Sequence, residues 1–175
     1  VEPIDAGMIT RLGDFRRRMD WFINHRPDLT RNVASMRDTG RKDRRLLSIA
    51  GSEQLRRVLK VMLDENEFLS PYGIRALSKA HLKEPFELKV AGETYRVEYE
   101  PGESATGLFG GNSNWRGPVW FPINYLLIES LRRFWHYYGD DFRVECPTGS
   151  GVMMTLYEVA EEISRRLTLL FLRDK

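Results

Sequence analysis

The segment between residues 107 and 124 carries side chains that are well suited to recognise a sugar. Its glycines remove side chains where a backbone must pass close to a ligand. Asn114 offers donors and an acceptor and Arg116 offers five fixed donors, so both suit the hydroxyl edge of a sugar. Trp115 and Trp120 offer flat apolar rings, which suit its C–H face. These residue types in this order predict a sugar-binding loop.

The same residues also fit a purely structural role. Both tryptophans could pack in the core, and Arg116 could pair with a carboxylate. Since tryptophan is highly buried on average, composition alone leaves the two interpretations open.

The order of the surrounding motifs resembles that of a known enzyme family. The motifs are Glu-Phe-Leu-Ser-Pro-Tyr-Gly-Ile-Arg-Ala-Leu-Ser at 67–78, Pro-Gly-Glu-Ser-Ala-Thr-Gly at 101–107, Asn-Trp-Arg-Gly-Pro-Val-Trp at 114–120, Asn-Tyr-Leu-Leu at 124–127 and Cys-Pro-Thr-Gly-Ser-Gly at 146–151. Together they closely resemble glycoside hydrolase family 63, and most of all its large bacterial glucosidase-like members. The family includes processing α-glucosidases and bacterial relatives that act on α-glucosides or mannosylglycerate.

The resemblance implies an (α/α)6 toroid and an inverting mechanism. In that mechanism a carboxylic acid protonates the leaving oxygen and a carboxylate activates water, with the two groups roughly 6.5–9.5 Å apart. In the family the acid, an Asp, lies well upstream of the hairpin, and the base, a Glu, lies near the C-terminus. Neither position has a counterpart in this chain. We therefore expect part of a toroidal catalytic domain of a larger enzyme, inactive on its own, without catalytic residues and without a cofactor.

The resemblance and the loop chemistry together define a predicted substrate-binding set. Tyr72 lies next to Gly73 at a break in the helical pattern and is expected to stack on a sugar, although a half-buried tyrosine near a turn fits equally. Glu103 is expected to contact a substrate hydroxyl, with a loop-stabilising hydrogen bond as the alternative. The predicted substrate-binding residues are Tyr72, Glu103, Asn114, Trp115, Arg116, Gly117, Trp120 and Asn124.

Three further carboxylates fit structural positions better than catalytic ones. Glu129 falls within a predicted helix, where a paired surface role is the default. Asp140 and Asp141 follow the end of that helix and are typical of a turn. None of the three is assigned a catalytic role.

Apolar periodicity predicts a mainly α fold with one small β-hairpin, in a single region spanning residues 1–175. Helices are expected at about residues 10–25, after an N-cap at Ser52, at 121–138 and at 155–170, the last with a capping box from Thr155 to Glu158. Alternating residues at 86–90 and 95–99, separated by Ala91-Gly92, predict a hairpin with one face exposed.

Composition excludes several function classes. Lys+Arg of 27 against Asp+Glu of 25 gives a net charge of +2, which is too small for a dedicated nucleic-acid binder. No apolar run approaches the roughly 20 residues of a membrane helix, so we expect no membrane partner. The single Cys146 cannot form an internal disulfide, which suits the cytoplasm. The three histidines share no metal-ligand spacing, so we expect no metal.

Two functional classes remain. In the first, the chain is the sugar-binding portion of an inverting glycoside hydrolase. In the second, it is a non-catalytic helical module for carbohydrate binding or interaction. A partial toroid leaves apolar helix faces without neighbours, so we also expect self-association.

Overall fold

A computed structural model describes residues 1–30, 38–100 and 118–172. Within these ranges the chain is mainly α-helical with small antiparallel strand pairs, which confirms the predicted class. The helices are α1 (Ala6–Arg11), α2 (Gly13–His25), α3 (Pro27–Thr30), α4 (Ser52–Met62), α5 (Phe121–Tyr138) and α6 (Leu156–Thr168). The paired strands are β1 (Glu2–Ile4) with β2 (Arg45–Leu47), β3 (Leu69–Ser70) with β4 (Gly73–Ile74), β5 (Phe86–Val90) with β6 (Glu93–Val97), and β7 (Arg143–Glu145) with β8 (Met153–Thr155).

The core lies between α5 and α6 and extends to α4. Each of these helices buries residues at helical spacing, which is the pattern of an amphipathic helix packed on one face. Burial of each large apolar side chain contributes about 1.5–3 kcal/mol. The buried apolar residues of the three helices are Leu55 and Leu59 of α4, Ile128, Leu131, Phe134 and Tyr137 of α5, and Leu156, Val159, Ala160, Ile163 and Leu167 of α6.

Local sequence signals correctly predicted the start of α6 and both ends of α5. At the start of α6 the Thr155 hydroxyl accepts from the Glu158 N–H (3.2 Å), and the Thr155 N–H donates to the Glu158 carboxylate (2.7 Å). The helix α5 begins at Phe121 as predicted, and Gly139 ends it at a φ of 73°. The predicted N-cap at Ser52 is wrong by one residue, because Gly51 occupies that position.

The first predicted helix is divided in the structure. Leu12 has a φ of −100° and a ψ of 58°, which is not helical, and it separates α1 from α2 at Gly13. Neither α1 nor α2 buries a residue, and Leu12, Phe15 and Phe22 of the apolar stripe that predicted one long helix are exposed. Packing therefore does not hold the two segments in one continuous helix.

The predicted hairpin is present, with strands β5 and β6 joined at Ala91-Gly92. Both turn residues have positive φ, 52° and 86°, which matches the twist of a two-residue hairpin turn. The expectation that only one face is exposed is wrong, because every residue from 86 to 96 is exposed. The alternating apolar side chains of the hairpin thus lack a packing partner within the described residues.

The toroid, the self-association and the cytoplasmic location stay predictions. The structure shows α5 and α6 packed as a pair, but not the ring of helices that a toroid requires. The exposed apolar side chains on α1, α2 and the hairpin are compatible with self-association, which no observation tests, and the cytoplasmic location is equally untested. Among the described helices, none is both long and apolar enough to cross a membrane.

Candidate functional site

Three of the eight predicted substrate-binding residues lie in the part of the chain that the structure describes. Tyr72 lies in the turn between β3 and β4, Trp120 caps the start of α5, and Asn124 lies in its first turn. The other five, Glu103, Asn114, Trp115, Arg116 and Gly117, lie outside the described residues.

The turn that carries Tyr72 is closed by one buried hydroxyl group. The Ser70 Oγ donates to the Gly73 carbonyl (2.7 Å) and accepts from the Tyr72 N–H (3.1 Å). Ser70 is buried, whereas Tyr72 is 38% exposed. A fixed backbone thus carries an aromatic ring that is accessible to a ligand.

Asn124 ties this hairpin to α5. Its amide nitrogen donates to the Ile74 carbonyl (2.9 Å) and the Trp120 carbonyl (3.0 Å), and its amide oxygen accepts from the Ile74 N–H (2.7 Å). The side chain is only 1% exposed. Both amide donors are thus used by the Ile74 and Trp120 carbonyls, which gives Asn124 a positioning role in the structure. Its contact with a sugar stays a prediction.

Gly73 permits the close contact between the hairpin and α5. A Cβ at this position would lie 2.8 Å from the Asn124 Oδ1 and 3.4 Å from the Leu167 Cδ1. The φ of Gly73 is also +117°, a region that residues with side chains rarely adopt. A glycine is thus required here for two independent reasons.

Pro118 of the predicted sugar-binding segment and Tyr99, which precedes that segment, are hydrogen-bonded to residues 76 and 81. The Ala76 N–H donates to the Pro118 carbonyl (2.8 Å), and the Tyr99 N–H donates to the His81 carbonyl (3.4 Å). Trp120, which is half-buried, follows Pro118 by two residues. Since Asn124 bonds both Ile74 and Trp120, it links the two stretches that carry the Tyr72 and Trp120 rings.

An ionic network around the buried Arg166 of α6 was not predicted from the sequence. The Arg166 Nε donates to Glu162 (2.8 Å), and its Nη1 donates to Glu65 (3.0 Å) and to the Ser70 carbonyl (2.9 Å). The i,i+4 spacing of Glu162 and Arg166 could have predicted the pair on the helix. No local signal indicates the contact with Ser70, which lies 96 residues away in the chain.

Hydrogen bonds from Arg165 and Arg166 lower the pKa of Glu162 to about 2, against the opposing effect of burial. Relative to the ordinary value of 4.5, this carboxylate stabilises the fold above about pH 4.5, and the stabilisation is lost as the pH falls toward 2. The difference corresponds to about 3 kcal/mol at most.

We expect the free energy of unfolding to fall between about pH 5 and pH 2 in the wild type and to fall by less in Glu162→Gln. Urea unfolding at both pH values measures the difference. Glu87→Gln, in the exposed strand β5, is the matched control and should follow the wild type. Equal acid sensitivity of Glu162→Gln and the wild type would contradict the assignment.

The three carboxylates that received no catalytic role have structural positions. Glu129 accepts from Arg132 (2.9 Å), and Asp140 accepts from the indole N–H of Trp135 (2.7 Å). Asp141 lies in the short turn after α5. In the ranges described, no three His, Cys, Asp or Glu residues come together as a metal site.

Two known proteins are similar in sequence to the chain, one over nearly all of its length and the other over about half of it. The chain is 53% identical over 173 residues, 98% of its length, to an uncharacterized protein of Saccharomyces cerevisiae. It is 37% identical over 83 residues, 47% of its length, to a protein of Schizosaccharomyces pombe named "Probable mannosyl-oligosaccharide glucosidase". The matches span 16% and 7% of those relatives. No family model matches the chain, and no solved structure matches it significantly.

Proposed function

We propose that the chain is the sugar-binding portion of an inverting glycoside hydrolase that acts on α-glucosides or related α-linked sugars. The similarity to the glucosidase over 83 residues carries this proposal, and the resemblance of the ordered motifs to glycoside hydrolase family 63 supports it. The packed pair of α5 and α6 is proposed to be one part of an (α/α)6 toroid.

In this proposal the chain binds and orients the sugar, and other parts of the enzyme cut it. The tryptophan rings stack on the apolar face of the sugar, and Arg116 donates to its hydroxyl groups. Tyr72 and Trp120 lie on stretches that Asn124 bonds together, which supports a shared binding surface. The general acid and base are supplied outside residues 1–175, on the two sides of the scissile bond.

The test is the hydrolysis of a panel of α-glucosides and α-mannosides by the complete protein. We expect Trp115→Ala and Arg116→Ala each to lower kcat/KM about 100-fold, or about 2.7 kcal/mol of transition-state binding. The matched controls are Trp21→Ala on α2, where the indole is 58% exposed, and Arg57→Ala on the exposed face of α4. Both should retain the wild-type kcat/KM.

The outcomes separate the two functional classes. Unchanged kinetics in both Trp115→Ala and Arg116→Ala would contradict the assigned site. A complete protein that binds the sugars without hydrolysing any of them would instead favour a non-catalytic carbohydrate-binding module.

A further inference from the structure

Arg166 is a charged side chain that α6 holds almost entirely out of solvent, at 8% exposure. Of its three hydrogen bonds to described residues, two go to the carboxylates of Glu162 and Glu65. The third goes to the backbone carbonyl of Ser70, at the start of the turn that carries Tyr72. Since hydrogen bonds from an ionised donor are stronger than neutral ones, α6 is bonded firmly to that turn.

Stability alone does not account for an arginine at this position. A buried ion pair is often no more stabilising than an apolar side chain of similar volume. The planar guanidinium, however, fixes the direction of several hydrogen bonds at once. The Ser70 carbonyl is therefore held at a defined place relative to α6, which apolar packing would not achieve.

The hairpin that carries Tyr72 is held from both central helices. Arg166 of α6 bonds Ser70 on strand β3, and Asn124 of α5 bonds both backbone groups of Ile74 on strand β4. The turn between the strands is closed by the Ser70 hydroxyl. The exposed ring of Tyr72 thus stands on a backbone that is fixed at both ends.

We propose that Arg166 is a positioning residue of the sugar site, which fixes this turn so that the ring of Tyr72 stacks on the bound sugar. The inference rests on the proposed function. Preorganisation of a binding group reduces the cost of ordering it when the ligand arrives. A contact made equally in the ground state and the transition state changes KM rather than kcat, so the effect of Arg166 belongs in KM.

The test is the kinetics of the complete protein on its best α-glucoside. Arg166→Lys keeps the charge but cannot make the same fork of directed bonds. We expect it to raise KM about 10-fold with kcat within about 2-fold of the wild type. Arg165→Lys is the matched control, because Arg165 bonds the same Glu162 but is 60% exposed, and its KM should be unchanged.

A double-mutant cycle separates positioning from a general structural effect. If Arg166 acts through Tyr72, adding Arg166→Lys to Tyr72→Ala produces no further rise in KM. A purely structural loss would raise KM equally in both backgrounds. That equal rise, or an unchanged KM in Arg166→Lys alone, overturns the proposal.

Hydrogen exchange tests the same contact without activity. The peptide covering residues 69–74 contains the Tyr72 N–H, which donates a hydrogen bond to the Ser70 hydroxyl. We expect this peptide to exchange about 10-fold faster in Arg166→Lys than in Arg165→Lys. Equal exchange overturns the proposal even in an active enzyme. If the protein hydrolyses no α-glycoside, the proposed function is contradicted. Faster exchange in Arg166→Lys would still show that Arg166 fixes the turn.

Discussion

Gly73→Ala is expected to lower the free energy of unfolding by at least about 4 kcal/mol. A residue held at an unfavourable positive φ costs about 1–3 kcal/mol in strain, and the φ here is +117°. The added methyl group would also lie 2.8 Å from the Asn124 Oδ1, inside the contact distance. Relief of that clash requires Asn124 to move away from Ile74, which breaks buried hydrogen bonds. Urea unfolding monitored by circular dichroism measures the loss.

Two other glycines separate the causes of this expected loss. Gly92 also has a positive φ, 86°, but a Cβ there would meet nothing within 4 Å. Gly51 has neither the positive φ nor a neighbour within 4 Å. Gly92→Ala should therefore show only the strain, about 1–3 kcal/mol. Gly51→Ala should lose no more than about 1 kcal/mol, because alanine is a poorer helix N-cap than glycine. A Gly73→Ala variant no less stable than Gly92→Ala would show that the close contact is unimportant.

The parts of the fold that were predictable are those that depend on neighbours in the sequence. The capping box at Thr155 and the two-residue turn at Ala91-Gly92 are fixed by residues within a few positions of one another. The same holds for α5, whose apolar spacing and terminal Gly139 mark both its length and its end. Local chemistry decides these features, so a single sequence is enough to predict them.

The features that were missed depend on distant contacts. Strand β1 pairs with β2 in a register that places Glu2 opposite Leu47, and three-residue strands carry too little alternation to be predicted. The break at Leu12 reflects the lack of packing around α1 and α2. The β1–β2 pair and the break between α1 and α2 depend on contacts between residues that are distant in the sequence. Apolar periodicity along the chain does not predict such contacts.

The candidate site also combines features that the sequence predicts with features that depend on distant contacts. The resemblance and the loop chemistry placed Tyr72, Trp120 and Asn124 in one predicted binding set, which stays a prediction. In the structure the hydrogen bonds of Asn124 link the stretches that carry the two rings. The sequence alone leaves the role of Asn124 open, because an amide offers the same donors and acceptor to a sugar and to a backbone. Only its burial distinguishes the two.

Replacement of Asn124 should be the second severe change, because its amide satisfies both buried backbone groups of Ile74. Asn124→Ala leaves the Ile74 N–H and the Ile74 carbonyl without their bonds to this side chain, whereas the Trp120 carbonyl still accepts from the backbone N–H of residue 124. A buried polar group left without a partner costs about 1–3 kcal/mol. We therefore expect Asn124→Ala to lower the free energy of unfolding by about 4 kcal/mol, measured by urea unfolding at neutral pH.

Asn124→Asp gives the sharper test, because its effect should depend on pH in the direction opposite to that of Glu162. A carboxylate at this place would face the Ile74 and Trp120 carbonyls at about the distances of the present amide nitrogen, 2.9 and 3.0 Å. Burial and these carbonyl groups favour the protonated acid, so the pKa of the new carboxyl should be raised in the folded state. The contribution of this carboxyl group to stability should then be fully present below about pH 4, the unfolded value, and be lost as the pH rises through the folded pKa.

The matched control is Asn66→Asp, at an exposed position, which should change the free energy of unfolding by no more than about 0.5 kcal/mol. The wild type should lose stability on acidification through Glu162, whose pKa is lowered to about 2, whereas Asn124→Asp should recover part of its loss. A variant whose deficit relative to the wild type is the same at about pH 7 and pH 4 would show that residue 124 is not held against backbone carbonyls. That result would favour the predicted contact of Asn124 with a sugar, since the amide would be free to turn toward a ligand.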